Sequence, residues 1–360
     1  MEPLKEMFSK KFYEEFANAF HKAEKNFNVK KFTGEVTKNL NLLELNQRLR
    51  NTSVVLKNYL PPDYKKTIEI MKRVAPELSA GYTQLVFPDF VGLYGKNNFD
   101  LSIEALKYFT QFGSSEFAIR EFLKMDFDKT IKVMLGWAKD KNHHVRRLAS
   151  EGSRPRLPWS FKLDKVIENP KLTIPILEIL KNDEELYVRK SVANHLNDIS
   201  KVHPKVILNI IKNWKGKSNH TDWILKHGSR TLLKQGNINA LSHFGIKHNE
   251  SVQSSEIKIL NNKIKTGEHL QFSFNLINHA NKKVKVRIEY AVYFKMANDK
   301  LSKKVFKISE RELQQNETLL FNRRHSFKLI STRKYYSGTQ KVALIINGKE
   351  AAPLSFELTK

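Results

Sequence analysis

The sequence HVRR at residues 144–147 is followed by two weaker copies, YVRK at residues 187–190 and WILK at residues 223–226. The offsets between their second residues are 43 and 36. Spacings of this length suit repeats of two helices, in which each pair buries its apolar face against its neighbour and the stack curves into a concave surface. We therefore predict a helical-repeat solenoid. Chance similarity among Arg-rich helix starts is the alternative.

Helical periodicity extends from the start of the chain to about residue 248. Apolar residues recur at helical spacing, as in Phe12, Phe16 and Phe20 and again in Ile131, Met134 and nearby positions. No strand-like alternation interrupts this region. We predict that residues 1–248 form an all-α domain of HEAT-like repeats.

After about Asn249 the apolar period changes from 3.6 to 2. Leu270, Phe272 and Phe274 alternate with polar residues, and turn signals such as Asn347-Gly348 separate the alternating runs. This spacing is typical of a small antiparallel sandwich. We predict that residues 249–360 form a second, all-β domain.

The charge of the chain favours a polyanionic partner. It has 63 Lys+Arg against 37 Asp+Glu, a formal net charge of +26, and nucleic acid is the commonest polyanion for such a protein. A basic protein from an organism with a lysine-rich proteome is the alternative. Residues 251–360 hold 21 Lys+Arg and 9 Asp+Glu, which favours contact with DNA by the β domain over a passive cap.

Several classes of site have no support in the sequence. The absence of cysteine excludes disulfides, Cys-ligated zinc, iron–sulfur clusters and a thiol nucleophile. Nucleotide-binding, serine-hydrolase and HExxH patterns are missing, so we expect no cofactor and no metal. Neither a signal peptide nor an apolar run long enough to span a membrane is present. We expect a cytoplasmic protein.

The segment HHVRRLASEGSRPRLPW at residues 143–159 contains most of the candidate site. A helix through Glu151 places Arg147 and Glu151 on one face at i and i+4. Gly152 allows the helix to end, and the two prolines that follow enforce an extended, stiff loop. An ordinary intrahelical ion pair is the alternative interpretation of Arg147 and Glu151.

This loop is predicted to present Arg154, Arg156 and Trp159. Two planar cations and one large aromatic face are suited to gripping a nucleic-acid backbone while stacking on a base or sugar. The alternative for Trp159 is a core tryptophan that follows a turn.

A further carboxylate lies in the predicted helix at residues 186–201. Val188 and Val192 belong to its apolar stripe, and Asp198 falls on the opposite face with Lys190 and Asn194. A carboxylate among amides and ammonium groups stays ionised beside an anionic substrate. A solvated outer face is the alternative.

Longer motifs resemble a known family. The strings FGSSEFAIR at residues 112–120, HVRRLASEGSRPRLPW at 144–159 and YVRKSVANHLNDIS at 187–200 look like the AlkC branch of the HEAT-like-repeat DNA glycosylases. STRKYY at residues 331–336 and ING at 346–348 resemble the immunoglobulin-like domain that distinguishes AlkC from its relative AlkD. The resemblance implies an all-α HEAT-like helical-repeat solenoid followed by a small all-β immunoglobulin-like sandwich.

The resemblance also implies the active-site positions. They fall on Glu116, Glu151, Trp159 and Asp198. Glu121 stands where the family pattern has proline, which leaves open whether Glu116 or Glu121 faces the DNA. For binding of DNA phosphates we expect five cations: Arg147, Arg154, Arg156, Arg189 and Lys190.

The implied function is that of a monofunctional DNA glycosylase. It would excise cationic N3-alkylated bases, such as 3-methyladenine and 3-methylcytosine, from double-stranded alkylated DNA without base flipping, and no obligate protein partner is expected. In this hypothesis Asp198 and Glu116 act on sugar and water, Glu151 supports them through Arg147, and Trp159 contacts the deoxyribose. The alternatives are a non-catalytic nucleic-acid-binding module and a scaffold whose β domain binds a protein.

Overall fold

The computed structural model describes residues 3–247, 249–330 and 333–360. His248, Ser331 and Thr332, on which a predicted domain end and part of the STRKYY motif fall, lie outside the described residues. No helix among the residues that the structure describes is long and apolar enough to cross a lipid bilayer.

The first part of the chain is helical. The described residues form sixteen α-helices: α1 (Lys10–Ala23), α2 (Val29–Thr37), α3 (Leu45–Lys57), α4 (Tyr64–Val74), α5 (Val86–Tyr94), α6 (Phe99–Phe109), α7 (Ala118–Met125), α8 (Phe127–Trp137), α9 (His143–Gly152), α10 (Asp164–Glu168), α11 (Ile174–Leu180), α12 (Leu186–Ser200), α13 (Pro204–Trp214), α14 (Asn219–Gly228), α15 (Arg230–Lys234) and α16 (Ile238–His243).

The last part is built of strands. The described residues form ten: β1 (Val252–Ser254), β2 (Lys258–Ile259), β3 (Lys263–Lys265), β4 (His269–Asn278), β5 (Val284–Lys295), β6 (Leu301–Leu313), β7 (Thr318–Ser326), β8 (Gly338–Ile346), β9 (Lys349–Glu350) and β10 (Leu354–Thr359). The change of period near Asn249 therefore marks the change from helix to strand.

Contacts divide the chain into two compact units. One comprises Met1–His203 with Lys215–Gly228, which we call the helical unit. The other comprises Pro204–Trp214 with Ser229–Lys360, which we call the β unit. The β unit thus includes α13, α15 and α16 besides the strands.

The predicted repeat has a structural counterpart in the helical unit. Arg146 donates to the backbone carbonyls six and five residues before it, at 3.0 and 2.9 Å, and Arg189 does the same at 2.9 and 2.6 Å. Helix α12 packs against both α9 and α14. The first two copies of the motif therefore make the same type of contact. In each copy the arginine at the third position holds the turn that precedes its own helix.

Strands of the β unit form two sheets around one apolar core. The first sheet contains β1, β4, β2 and β7, and the second runs β3-β10-β8-β5-β6 with β9 beside β8. Phe272 and Phe274 of the first sheet share a buried cluster with Ile288 and Val292 of the second. Asn347 and Gly348 form the predicted tight turn between β8 and β9, with φ values of 51° and 83°.

Strand β5 differs from the one-sided strand that simple alternation predicts. Its alternate residues, including Arg287 and Glu289, are buried as well as its apolar ones. The second face is covered within the β unit, where α15 contacts β6 and Lys285 donates to the carbonyl of Phe244 at 3.0 Å. Strand β5 is therefore buried on both faces along most of its length.

Candidate active site

A chain of alternating charges joins α9, the loop after it and α12. Arg147 donates to Glu116, and its other terminal nitrogen lies 3.6 Å from Glu151. Arg154 contacts Glu151 at 2.6 Å and Asp198 at 2.8 Å. Three carboxylates from distant parts of the sequence therefore meet around two arginines.

Local structure explains how α9 contributes to this network. Asn142 caps the helix by accepting from the backbone N–H of His144 at 2.8 Å. The i, i+4 spacing then brings Arg147 to Glu151 as predicted. Gly152 ends the helix and packs closely against α7. A Cβ atom added at Gly152 would lie only 2.5 Å from Cγ2 of Ile119.

Three members of the network, Arg147, Glu151 and Arg154, keep their charges although burial disfavours the charged forms. Burial disfavours ionised Glu151, but attraction by Arg147 and Arg154 outweighs it and holds the pKa of Glu151 below its ordinary value. Burial acts against the charged arginines too, yet Glu116 and Glu151 raise the pKa of Arg147, and Glu151 and Asp198 raise the pKa of Arg154. Glu151 is therefore an ionised carboxylate at neutral pH.

The structure corrects the expected position of Arg154 and excludes the alternative interpretation of Asp198. Arg154 is only 6% exposed and does not project from the loop, because its guanidinium lies between two buried carboxylates. Asp198 is 3% exposed, so the alternative that it lies on a solvated outer face of α12 is wrong. Lys201 donates to the second oxygen of Asp198 at 3.0 Å.

Trp159 is the exposed element of the site. Its side chain is 70% exposed, which excludes a core tryptophan. Its φ is 63°, a left-handed conformation that residues other than glycine adopt rarely. Its ring meets Tyr82 edge to face, with centroids 6.4 Å apart, and the Tyr82 hydroxyl donates to Asn46.

An open cleft of about 490 Å³ lies beside these groups. Glu116, Glu151 and Arg147 line it, together with Trp159 and Tyr187. The Arg147 guanidinium lies over the Tyr187 ring at 4.8 Å. We call it the Glu116 cleft.

The structure distinguishes the two glutamates that the sequence left open. Glu116 lines the Glu116 cleft and accepts from Ser114 at 2.7 Å. Glu121 does not line that cleft and accepts from Lys96 at 2.7 Å. Glu116 therefore belongs with the arginine network.

The remaining candidate cations differ in exposure. Lys190 is exposed, and Arg156 is half-buried in the loop. Arg189 is half-buried and donates to the carbonyls of Asp183 and Glu184. Of the five predicted phosphate ligands, Lys190 is therefore the most accessible.

Arg120 supports the site but was not singled out from the sequence. It is fully buried and donates to the carbonyls of Gly152 and Arg154 at 3.0 and 2.7 Å, and to that of Phe161. Burial, and then repulsion by Arg154, lowers its pKa to about 10. The one available signal was helical spacing, which places Arg120 on the same face of the chain as the apolar Phe117 and Leu123.

Family models match both parts of the chain. The model described as "DNA alkylation repair enzyme" matches residues 103–232. The model described as "Uncharacterised protein YhaZ, C-terminal Ig-like domain" matches residues 253–360.

Two similar proteins match over the whole length. The chain is 42% identical over 359 residues to "Uncharacterized protein YhaZ" of Bacillus subtilis (strain 168), covering 99% of this chain and 100% of that protein. The fold of this chain superposes on the solved structure of the Pseudomonas fluorescens alkylpurine DNA glycosylase AlkC bound to DNA containing an abasic site analog. The TM-score is 0.96, and the sequences are 40% identical over 100% of both chains.

These matches confirm the predicted fold class and the family resemblance. The helical repeats carry the network of Glu116, Glu151 and Asp198, and an immunoglobulin-like sandwich follows. The chain belongs to the AlkC-type DNA alkylation repair glycosylases.

Proposed function

We propose that this glycosylase hydrolyses the N-glycosidic bond of cationic N3-alkylated bases, 3-methyladenine and 3-methylcytosine, in duplex DNA, without flipping the base into a pocket. The observation that carries this proposal is the arginine-held set of Glu116, Glu151 and Asp198 next to an exposed tryptophan. Its product is an abasic site, and the reaction is monofunctional because no lysine is identified as a Schiff-base nucleophile.

The chemistry of a cationic base explains why carboxylates suffice. Such a base leaves as a neutral molecule and needs no general acid, while positive charge grows on the deoxyribose. Fixed carboxylates stabilise that charge more in the transition state than in the ground state. One unit pair at about 4 Å is worth about 4 kcal/mol at an effective dielectric of 20, equivalent to roughly a thousandfold in rate.

The geometry supports two roles among the three acids. Glu116 lines the cleft, so we assign it to the sugar and the attacking water. Asp198 has the same assignment but lies behind Arg154. We propose that Arg154 binds a DNA phosphate and, in doing so, turns away from Asp198. The Asp198 carboxylate then becomes available to the sugar and the water. Glu151 supports this arrangement by holding both arginines.

The exposed groups are assigned to DNA. Trp159 would contact the deoxyribose through its π-face, in the manner of aromatic platforms that bind single nucleotides. Lys190 and Arg156, with Arg147 and Arg189 beside them, would bind phosphates, which positions the enzyme without reading sequence. Binding is therefore expected to tolerate sequence and to weaken steeply with salt.

The test is single-turnover release of 3-methyladenine and 3-methylcytosine from methylated duplex DNA. The unaltered chain is compared with Glu116→Gln and Asp198→Asn, and with Glu104→Gln, an exposed carboxylate of α6, as the matched control. We expect release by the unaltered chain and the control, and a loss of at least about a hundredfold in the two site variants with DNA affinity retained.

Other outcomes would contradict the proposal. Tight DNA binding without release of either base would indicate a non-catalytic binding module. Release at an unchanged rate in both site variants would remove the carboxylates from the mechanism.

A further inference from the structure

Three adjoining depressions surround the loop that carries Trp159. The Glu116 cleft shares Trp159 with a second cleft of about 410 Å³. The second cleft shares Ser160 and Phe161 with a third of about 810 Å³. The three depressions therefore adjoin one another, with Trp159 shared by the first two and Phe161 shared by the last two.

The third depression has the chemistry of a nucleic-acid surface. We call it the Phe161 groove, and it is lined by Lys124, Met125, Phe161, Lys162, Asp164 and Lys165 among others. The three lysines are exposed, and Asp164 is the one acidic side chain in the lining, as far as the described residues show. A cationic groove with an accessible aromatic ring suits a DNA strand, since the lysines can bind phosphates and the ring can pack on a deoxyribose.

Phe161 is both accessible and fixed. Its side chain is 38% exposed. Its carbonyl accepts from the buried Arg120, whose guanidinium also lies 5.3 Å from the ring centre, and Lys124 lies 5.7 Å from it on the groove side. A ring held in this way loses little freedom when a ligand stacks on it, which favours binding.

We propose that the Phe161 groove binds the DNA strand on one side of the damaged nucleotide. In this arrangement the damaged nucleotide occupies the Glu116 cleft, and the strand passes Trp159 and the second cleft. The Phe161 ring then packs face-on against a flanking deoxyribose, and Lys124, Lys162 and Lys165 bind phosphates. This inference rests on the proposed glycosylase function and names a further substrate-binding surface for it.

The first test removes the three positive charges together. The variant Lys124→Gln/Lys162→Gln/Lys165→Gln is compared with Lys25→Gln/Lys30→Gln/Lys31→Gln. The control changes the same charge at exposed positions, none of which lines the three depressions. Affinity for a duplex containing an abasic-site analogue is measured over a range of salt concentrations, and base release from methylated duplex is measured in parallel.

The groove variant is expected to lose the phosphate contacts that the control retains. Its slope of log affinity against log salt should become shallower by about 2 to 3, and its affinity at low salt should fall at least about tenfold relative to the control. Equal slopes and affinities in the two triple variants would overturn the groove proposal, while continued base release would leave the proposed function standing. No duplex binding by the unaltered chain would overturn both.

The second test addresses stacking. Phe161→Leu keeps an apolar side chain of similar bulk but removes the π-face, and Phe161→Tyr restores it. We expect about a tenfold loss of affinity in the leucine variant and recovery in the tyrosine variant. Unchanged affinity in the leucine variant would exclude stacking by Phe161.

Discussion

Buried arginine–carboxylate networks occur in both compact units, but their surroundings differ. In the helical unit the network runs from buried Asp198 to Glu116 at an open cleft. In the β unit Arg287 contacts Glu289 at 2.7 Å and Glu310 at 3.4 Å, and Glu289 is 0% exposed. The same residue types therefore reach an open cleft in one unit, whereas in the other Arg287 and Glu289 are buried and Glu310 contacts the partly exposed Lys285 and Lys307.

The origin of the charges explains the difference. Arg287, Glu289 and Glu310 come from neighbouring strands β5 and β6, so strand pairing brings them together. Other parts of the β unit cover that face of the sheet. Glu151 and Asp198 come from separate helices, and the loop between α9 and α10 leaves an opening beside Glu151. Burial of a charge is thus a sign of function here only where one end of its network is open to a ligand.

The strongest test of this comparison exchanges one carboxylate for an amide in each network. Glu151→Gln should lower single-turnover base release about a hundredfold, because Arg147 and Arg154 lose their shared partner and no longer hold Glu116 and Asp198 in place. Glu289→Gln should leave the rate within about twofold while lowering the free energy of unfolding by about 3 kcal/mol, since buried Arg287 loses its nearer carboxylate and keeps only Glu310 at 3.4 Å.

The measurements are base release at saturating enzyme and urea unfolding of the full chain. Retained DNA affinity in Glu151→Gln serves as the control for folding. A large loss of rate in Glu289→Gln, or none in Glu151→Gln, would remove the functional distinction between the networks.

A smaller effect is expected from Arg120, which contacts the loop rather than the carboxylates. Arg120→Met leaves the carbonyls of Gly152, Arg154 and Phe161 without this donor, so the Trp159 loop loses its anchor. We expect base release to fall by roughly tenfold to a hundredfold, the size of effect that a displacement of about 1 Å produces. Arg120→Lys should restore part of the rate.

The exposure of Trp159 can be measured independently of base release. Acrylamide quenching in a Trp223→Phe background reports its exposure, and it should change in Arg120→Met. Arg146→Met, which also removes donors to backbone carbonyls, is the control and should leave Trp159 quenching unchanged. Equal behaviour of the two variants would show that Arg120 has no specific role at the loop.

The sequence was sufficient for the fold because periodicity is local. The switch from period 3.6 to period 2 near Asn249 needs no knowledge of tertiary contacts, and the Asn347-Gly348 turn follows from two residues that tolerate positive φ. The covered second face of β5 could not be predicted in this way, since it depends on helices that lie more than forty residues earlier in the chain.

The site was predictable where its contacts are local and not where they are distant. Arg147 and Glu151 follow from helical spacing, and the exposed Trp159 follows from the proline-rich loop. Arg154 was expected on the surface because its partner Asp198 is 44 residues away, a contact that spacing does not reveal. Arg120 gave no motif signal because all three of its acceptors are backbone carbonyls.

The smallest predicted effect compares a buried histidine from each unit. Burial lowers the pKa of both His195 and His325 to about 4, from an ordinary value of 6.5. His195 Nδ1 donates to the carbonyl of Ser150 at 3.0 Å, and His325 Nδ1 lies 2.9 Å from the Tyr290 hydroxyl. Between pH 6.5 and 4 the unfolded chain binds a proton at each histidine that the folded chain does not, so stability falls as the pH falls.

From pH 7.5 to 5.5 each histidine should reduce the free energy of unfolding by about 1 kcal/mol. His195→Asn should remove this dependence from unfolding of the helical unit, followed by circular dichroism at helical wavelengths. His325→Asn should remove it from the β unit, and the exposed His279→Asn should change neither. A pH dependence that survives both buried substitutions would assign the loss of stability to other groups and show that the two units do not each keep a neutral histidine in the core.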